Sequence, residues 1–422
     1  MTWMEIEIGQ DGRQELDMVR RIINGKIITE QSVLEGLDLL VLNDRVLGWM
    51  APDAADSWLI REVSEEAWDK DIETIDAAGC YVMPGLIDIH SDYIEHIAAP
   101  RPTSMMDFDL SLRVSERELL THGITTMFHS LSLYKSYEFS YKPIRLPENV
   151  RRLVDEIQLT HTRDHLIRHR FHARYEIDNI DQLDQLKELI EEGKVHLLSF
   201  MDHTPGQGQY RNLNLYRKTL KGYNNLSDQE IDTIIVSHQQ KDKVSFDQLL
   251  ELCDLARFNH ISVASHDDDS SESVDLVCEL GVTISEFPVT LEVARTARSR
   301  GLMTMAGAPN ILLGGSHSGN LSAAEAILDG CIDILCSDYY PAAMLQAVFQ
   351  MHLQHHLDLP SLVRLVTANP ARAVQIDAEY GTIASGKKAD LLLVDLRENK
   401  YPVVKTALVD GQPMLQTCYR QS

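Results

Sequence analysis

The chain has 422 residues, of which 44% are hydrophobic and 24% charged, and it carries a formal net charge of −25. Those proportions are those of a soluble globular protein, and the length suits a large barrel with a small second domain. So negative a field argues against nucleic acid or an anionic membrane as a bulk partner, and any polyanionic ligand needs a local basic pocket.

No apolar run approaches the roughly 20 residues of a membrane span. The stretch from Met1 to Glu7 has neither a basic nor an apolar leader region, so no signal peptide is expected. Cys80, Cys253, Cys278, Cys331, Cys336 and Cys418 form no Cys-x-x-Cys pair, which fits a reducing cytoplasm and no structural zinc knot.

Residues 20 to 82 read as short strands. Arg21 to Thr29 and Leu37 to Leu47 are β-rich, and Asn24-Gly25 and Asn43-Asp44 are hairpin signals. Ala389 to Asp395 and Thr406 to Gly411 have the same character. Residues 1–82 and 371–422 are therefore expected to form one composite β-sandwich domain built from both termini.

Residues 83–370 alternate apolar runs with helix-like spacing, as a parallel α/β architecture does. Candidate strands are 82–90, 124–130, 170–176, 195–202, 260–266, 281–287, 303–308 and 332–338, enough for a (β/α)8 TIM-type barrel. Ile180 to Glu192 and Phe246 to Phe258 read as helices between them. Pro205 to Lys243 is too long and polar for a simple connection and is expected as a lid or helical insertion.

The first barrel strand runs into His90 and Asp92, two apart and so expected on one strand face. Other ligand-type residues also end strands: Glu176, His203, His266 and Asp338. Barrel active sites lie at the C-terminal strand ends, so all six should meet at one mouth, where desolvating so many charged groups is costly without a cation. Imidazole and carboxylate donors without thiolate suit Zn²⁺, Mn²⁺ or Fe²⁺, and six ligands suffice for two ions with a bridging carboxylate. Asp338 is the residue to take a proton from water, and metal-assisted hydrolysis is the chemistry.

Further candidates surround these. Arg101 and Arg174 could bind a phosphate bidentately, Arg174 sharing its strand face with His172 and Glu176. The loop from Gly314 to Asn320, with Gly315 and His317, could cradle a phosphate ahead of a helix near Leu321. Arg211, Arg217, Lys218 and Lys221 read as a solvated helix face, as do His161, His165 and His169. Asp267, Asp268 and Asp269 read as hydrogen-bond acceptors or a helix N-cap.

Several segments stand together along the chain: Ser199-Phe200-Met201-Asp202-His203-Thr204-Pro205-Gly206-Gln207, Ala264-Ser265-His266-Asp267-Asp268, Glu286-Phe287-Pro288, Gly307-Ala308-Pro309-Asn310 and Ser337-Asp338-Tyr339-Tyr340-Pro341. They resemble the amidohydrolase superfamily, and within it the α-D-ribose 1-methylphosphonate 5-triphosphate diphosphatases of the carbon–phosphorus lyase pathway. The resemblance implies a metal-dependent hydrolase that releases pyrophosphate from a phosphorylated sugar. By position it places His90, Asp92, His203, His266 and Asp338 on metal-ligand places. Other branches of the superfamily bridge with a carboxylated lysine, and since no lysine ends a suitable strand here, Glu176 is taken as the bridging carboxylate, with Tyr339 a candidate for substrate binding. The chain departs from the family pattern after Asp92, where it has Tyr93-Ile94-Glu95-His96. A C–N hydrolase of the dihydroorotase or deacetylase kind and a catalytically dead assembly barrel are the competing readings. The native metal and a homodimer are left open.

Overall fold

The computed structural model describes residues 18–62, 72–101, 103–133, 143–206, 208–210, 213–223, 227–315 and 320–420. Eight parallel strands form one sheet: β1 Leu86–Ser91, β2 Ile124–Leu133, β3 Arg168–Glu176, β4 Leu197–Met201, β5 Ser262–His266, β6 Ile284–Glu286, β7 Met303–Gly307 and β8 Ile334–Cys336. Each pairs with the next in chain order, and a parallel bridge between Ser91 and Asp338 joins the last to the first.

The alternation of strand side chains sets what faces where. On β3, Phe171, Ala173 and Tyr175 pack outward with Leu198 and Phe200 against the helices, while His172, Arg174 and Glu176 take the opposite face. Outside, helix Phe246–Phe258 buries Leu252, Cys253 and Ala256, and its start is fixed by Ser245, whose capping box with Gln248 satisfies the first free amides. Inside, Phe128, Leu197, Ala264, Ile284, Met305 and Ile334 form one apolar layer that plugs the barrel below the mouth. The barrel expected from the sequence is the one observed.

Two further sheets lie outside the barrel. A four-stranded sheet takes Arg45–Met50, Asp38–Leu42, Val19–Ile23 and Ile72–Asp76, in that order. A six-stranded sheet runs Gln412–Gln416, Tyr401–Val409, Leu391–Arg397, Tyr81–Pro84, Lys26–Ile28 and Val33–Leu34, so both ends of the chain share it. Ile22, Leu39 and Val41 of the first sheet meet Ile27, Val82, Leu391 and Leu393 of the second in one core, which makes a sandwich. Leu392 and Val394 point the other way, into a core with Ile124 and Phe349. That second buried face explains the unbroken apolar run Leu391-Leu392-Leu393-Val394.

Three local expectations are corrected. The strand expected over 82–90 is two strands in different sheets, divided at Gly85, where an added Cβ would lie 2.2 Å from Thr125 Oγ1. Asn24-Gly25 is not a hairpin but the crossing from one sandwich sheet to the other, whereas Asn43-Asp44 does join paired strands with Leu42 opposite Arg45. His161, His165 and His169 share no helix: the helix ends at Thr160, and His169 is buried on β3, its Nδ1 2.8 Å from His129 Nε2.

The segment after Pro205 is a helical insertion, with Leu213–Tyr223 and Asp228–Gln239 packed through Tyr216, Leu220, Ile231 and Ile235. Arg217 and Lys221 pair with Asp232 and Asp228 there, while Arg211 and the Lys218 side chain lie outside the described residues.

Candidate active site

Above the apolar layer the barrel interior turns polar. His172 lies fully buried with Ser130 Oγ 3.0 Å from Nδ1 and Ser199 Oγ 2.9 Å from Nε2. Burial pushes its imidazole down to about 3, so it is neutral. Glu286, at the end of β6, is 0% exposed, and neither of its oxygens has a hydrogen-bond partner among the described residues. Oε2 lies 3.2 Å from His90 Nδ1 and Oε1 lies 3.7 Å from His172 Nε2. Burial, then the charge of Arg174, holds His90 well below the usual histidine range.

A second group sits nearer the mouth. His266 Nδ1 is 2.7 Å from Asp267 Oδ2, and the Glu176 carboxylate accepts from His203 Nδ1. Burial would lower His203, but Glu176 outweighs it and the imidazole is raised. Burial pushes Asp267 up, but the His266 ring outweighs it and the carboxylate stays below its usual range. The Arg174 guanidinium reaches His266, Nη2 to Nε2, at 3.2 Å. The rings of His90 and His266 are 5.4 Å apart and those of His203 and His266 6.2 Å, so the two groups adjoin.

Asp338 stands where the barrel closes. Its N–H donates to the His90 carbonyl at 3.0 Å, and the Asp92 N–H donates to its own carbonyl at 2.9 Å. Its φ is 59°, and Asp267 and Phe287, which follow β5 and β6, also have left-handed backbones at 58° and 55°. A bulky residue such as Phe287 rarely adopts that conformation, and such strain gathers where a site over-determines the chain. Desolvation first, and the Asp92 charge second, push the Asp338 carboxyl up to about 7.

The structure corrects the simplest part of the strand argument. β1 ends at Ser91, and Asp92 is the N-cap position of helix Tyr93–Ala98, so the two residues do not share a strand face. Pairing with β2 is irregular between Asp88 and Ser91, and this irregularity is where His90 turns toward Glu286. Of the six expected ligands, His90 joins the inner group, His203 and His266 the outer one, Glu176 bonds His203 beside it, and Asp92 and Asp338 flank them at the closure.

Sequence reasoning placed His172, Glu286 and Asp267 near the site without giving them to it. His172 shares the face of Arg174 and Glu176, and Glu286 ends a strand as the other candidates do, so both signals were present. Asp268 accepts from Ser265 and Ser285, Asp269 accepts from the Gly208 amide at 2.8 Å, and Ser270 is the N-cap of the next helix.

The other candidates fall further out. Arg101 is exposed, bridging to Ser104, and no contact in the described residues brings it to the mouth. The Gly315 N–H donates to the Asn310 carbonyl at 3.0 Å, so this amide is engaged within the loop rather than turned to a phosphate, and His317 lies outside the described residues. Tyr339 is 37% exposed next to Asp338. Tyr93 packs against the outer apolar core and bonds Glu118, and His96 is exposed, so the departure after Asp92 points away from the mouth.

Two sets of donors can each hold a metal ion: His90, His172 and Glu286, and His203, His266 and Asp267, with one donor atom per residue all within 4.8 Å of one another. The fit is supported by Glu286, whose two buried oxygens lack hydrogen-bond partners, a costly state that a cation would relieve. Residues 81–416 match the model of the amidohydrolase family.

The chain belongs to the amidohydrolase family. This amidohydrolase is a hydrolytic enzyme, and it is 33% identical over 334 residues to the α-D-ribose 1-methylphosphonate 5-triphosphate diphosphatase of Escherichia coli K12, covering 78% of this chain and 86% of that one. That relative bears out the narrower resemblance read from the sequence. N-acetylglucosamine-6-phosphate deacetylase from Pasteurella multocida superposes with a TM-score of 0.59 at 12% identity, over 94% of this chain and 99% of its own. Dihydropyrimidinase from Brevibacillus agri gives 0.61 at 13% identity, over 94% and 95%. At such identities these two share the fold. No helix among the described residues is long and apolar enough to cross a membrane.

Proposed function

We propose that this amidohydrolase cleaves the triphosphate of α-D-ribose 1-methylphosphonate 5-triphosphate, releasing pyrophosphate and leaving the 5-phosphate, with two divalent ions (Zn, Mn or Fe) in the mouth. The observation that carries this reading is the 33% identity to the Escherichia coli diphosphatase over 86% of that protein's length. The C–N alternative has only a shared fold behind it.

The ions, when bound, supply a Lewis acid and a water that is easier to deprotonate. The chain's own groups supply the rest. Asp267 takes the His266 Nδ1–H and Glu176 takes that of His203, which leaves each Nε2 as a donor lone pair. Asp338, pushed up to about 7, is suited to accept a proton from the attacking water near neutral pH and to return it to the leaving phosphate oxygen. The neutral His172 is fixed between two serine hydroxyls with its Nε2 3.7 Å from the inner carboxylate Glu286. All six cysteines are free, which supports a reducing cytoplasm as the place of the reaction.

The test is ³¹P NMR of manganese- or zinc-loaded protein with the ribose triphosphate, using His203→Ala as control. Pyrophosphate and a 5-phosphate product from the intact protein alone are expected. Absence of turnover with metal bound would overturn the substrate.

A further inference from the structure

We infer that Arg174 is the residue that selects a phosphoryl anion at this mouth, so that the substrate class of the proposed reaction is set by one guanidinium on β3. This rests on the diphosphatase reading above and names the group that would make it specific.

Arg174 lies on the inward face of β3 between His172 and Glu176, one a member of the inner group and the other bonded to the outer. Its guanidinium touches His266 of the outer group, and its charge disfavours protonation of His90, His172 and His203 and favours the ionised carboxylates of Asp267 and Asp338. Yet among the described residues no carboxylate pairs with it, and its Nε is buried without a partner. Arg168, six residues earlier on the same strand, shows the usual arrangement, bonded to Asp390 at 2.6 and 2.7 Å and to Asp410 at 2.9 Å. Asp267 and Asp338 lie within reach of its field, but no carboxylate among the described residues bonds it directly, so its N–H donors remain available to an incoming anion.

Its one strong contact sharpens this. Asp267 accepts the His266 Nδ1–H, so Nε2 carries the lone pair, and Arg174 Nη2 donates to that lone pair at 3.2 Å. A divalent ion in the outer group calls on the same imidazole. An ion that took this lone pair would release the guanidinium from it, and the two neighbouring cationic centres would then repel each other unless an anion lay between them. The reacting bond of a neutral amide brings no charge to that place. A phosphoanhydride brings oxyanions on every phosphoryl group, and the planar guanidinium meets two such oxygens at once.

The experiment is calorimetric titration of inorganic pyrophosphate, and separately malonate, into manganese-loaded wild type, Arg174→Gln and Arg174→Lys, with metal content and thermal unfolding recorded for each. Wild type is expected to bind pyrophosphate well above malonate. Arg174→Gln should weaken pyrophosphate by about 10- to 100-fold with its metal retained, as expected for losing a hydrogen bond to a charged group. Arg174→Lys keeps the charge but not the fork, and should fall between; it decides the matter if the glutamine variant does not fold. Pyrophosphate binding equally to wild type and both variants would overturn the role of Arg174 and leave the diphosphatase reading standing. Loss of metal from Arg174→Lys would also overturn it, by making Arg174 a support of the metal groups. Wild type that ignores pyrophosphate, or prefers malonate, would overturn both readings.

Discussion

The Asp338 N–H donates to the His90 carbonyl at 3.0 Å, so the backbone bond that closes the barrel also sets the two ends of the ligand series side by side. The Asp92 amide returns the contact to the Asp338 carbonyl at 2.9 Å. Closure and site are thus one feature: β8 and β1 meet only at a bridge, and that bridge is between Ser91 and Asp338.

This separates the fold role of Asp338 from its chemical one. Asparagine tolerates a left-handed backbone well, so Asp338→Asn keeps the bonds made by its backbone while removing the proton acceptor. Its kcat should fall by about 10²- to 10⁴-fold with little change in Tm. The acceptor must be deprotonated to act, so in wild type kcat/KM rises with pH through a limb that reports Asp338, whose carboxyl burial and Asp92 raise and a bound cation would lower. That limb is expected to vanish in the residual activity of the variant.

Buried histidines predict how stability follows pH. Burial holds His129 well below the usual range, and His169 is also lowered, the nearby Glu116 offsetting only part of the burial effect. Both favour the neutral form in the fold, His129 the more strongly, and so take up protons on unfolding. Their contribution is therefore complete above the unfolded value of about 6.5 and is lost as pH falls below it. Unfolding free energy should drop between pH 7 and pH 5 by up to about 1.4 kcal/mol per pH unit for each such group. Urea titrations across that range check it, and His129→Asn should show the shallower slope.

Arg168 joins the start of β3 to the six-stranded side of the sandwich. It bonds Asp390 and Asp410, and its guanidinium lies 4.3 Å from the centre of the Tyr380 ring. Side-chain exposures of 9% and 6% for Arg168 and Asp390 mean that truncation strands a buried charge. Arg168→Ala should cost about 3–5 kcal/mol in urea unfolding, while Arg113→Ala, in an exposed pair with Asp109, should cost under about 1.

Much of this was legible from spacing alone. All eight barrel strands were placed because buried parallel strands are short apolar runs, and helix Phe246–Phe258 because its apolar period and Ser245 cap agree. What spacing could not show is where a strand changes sheets: Gly85 and Asn24 each mark a crossing decided by distant neighbours, Thr125 at one and the strand Ile72–Asp76 at the other. The histidine series at 161, 165 and 169 misled because a period of four suits a helix while the chain there leaves one helix and enters a strand. The site was read as strand-end ligands, which found its rim. Its inner group was missed because Glu286 and His172 become neighbours only when β6 and β3 face each other across the closed barrel.

If the inner and outer donor groups each hold a divalent ion, as proposed, the amount of metal per chain reports it. After loading with manganese or zinc and exhaustive dialysis, inductively coupled plasma mass spectrometry should find two equivalents, falling to one in Glu286→Gln and in His203→Ala. Wild-type protein that retains no metal after dialysis would rule out both ion sites.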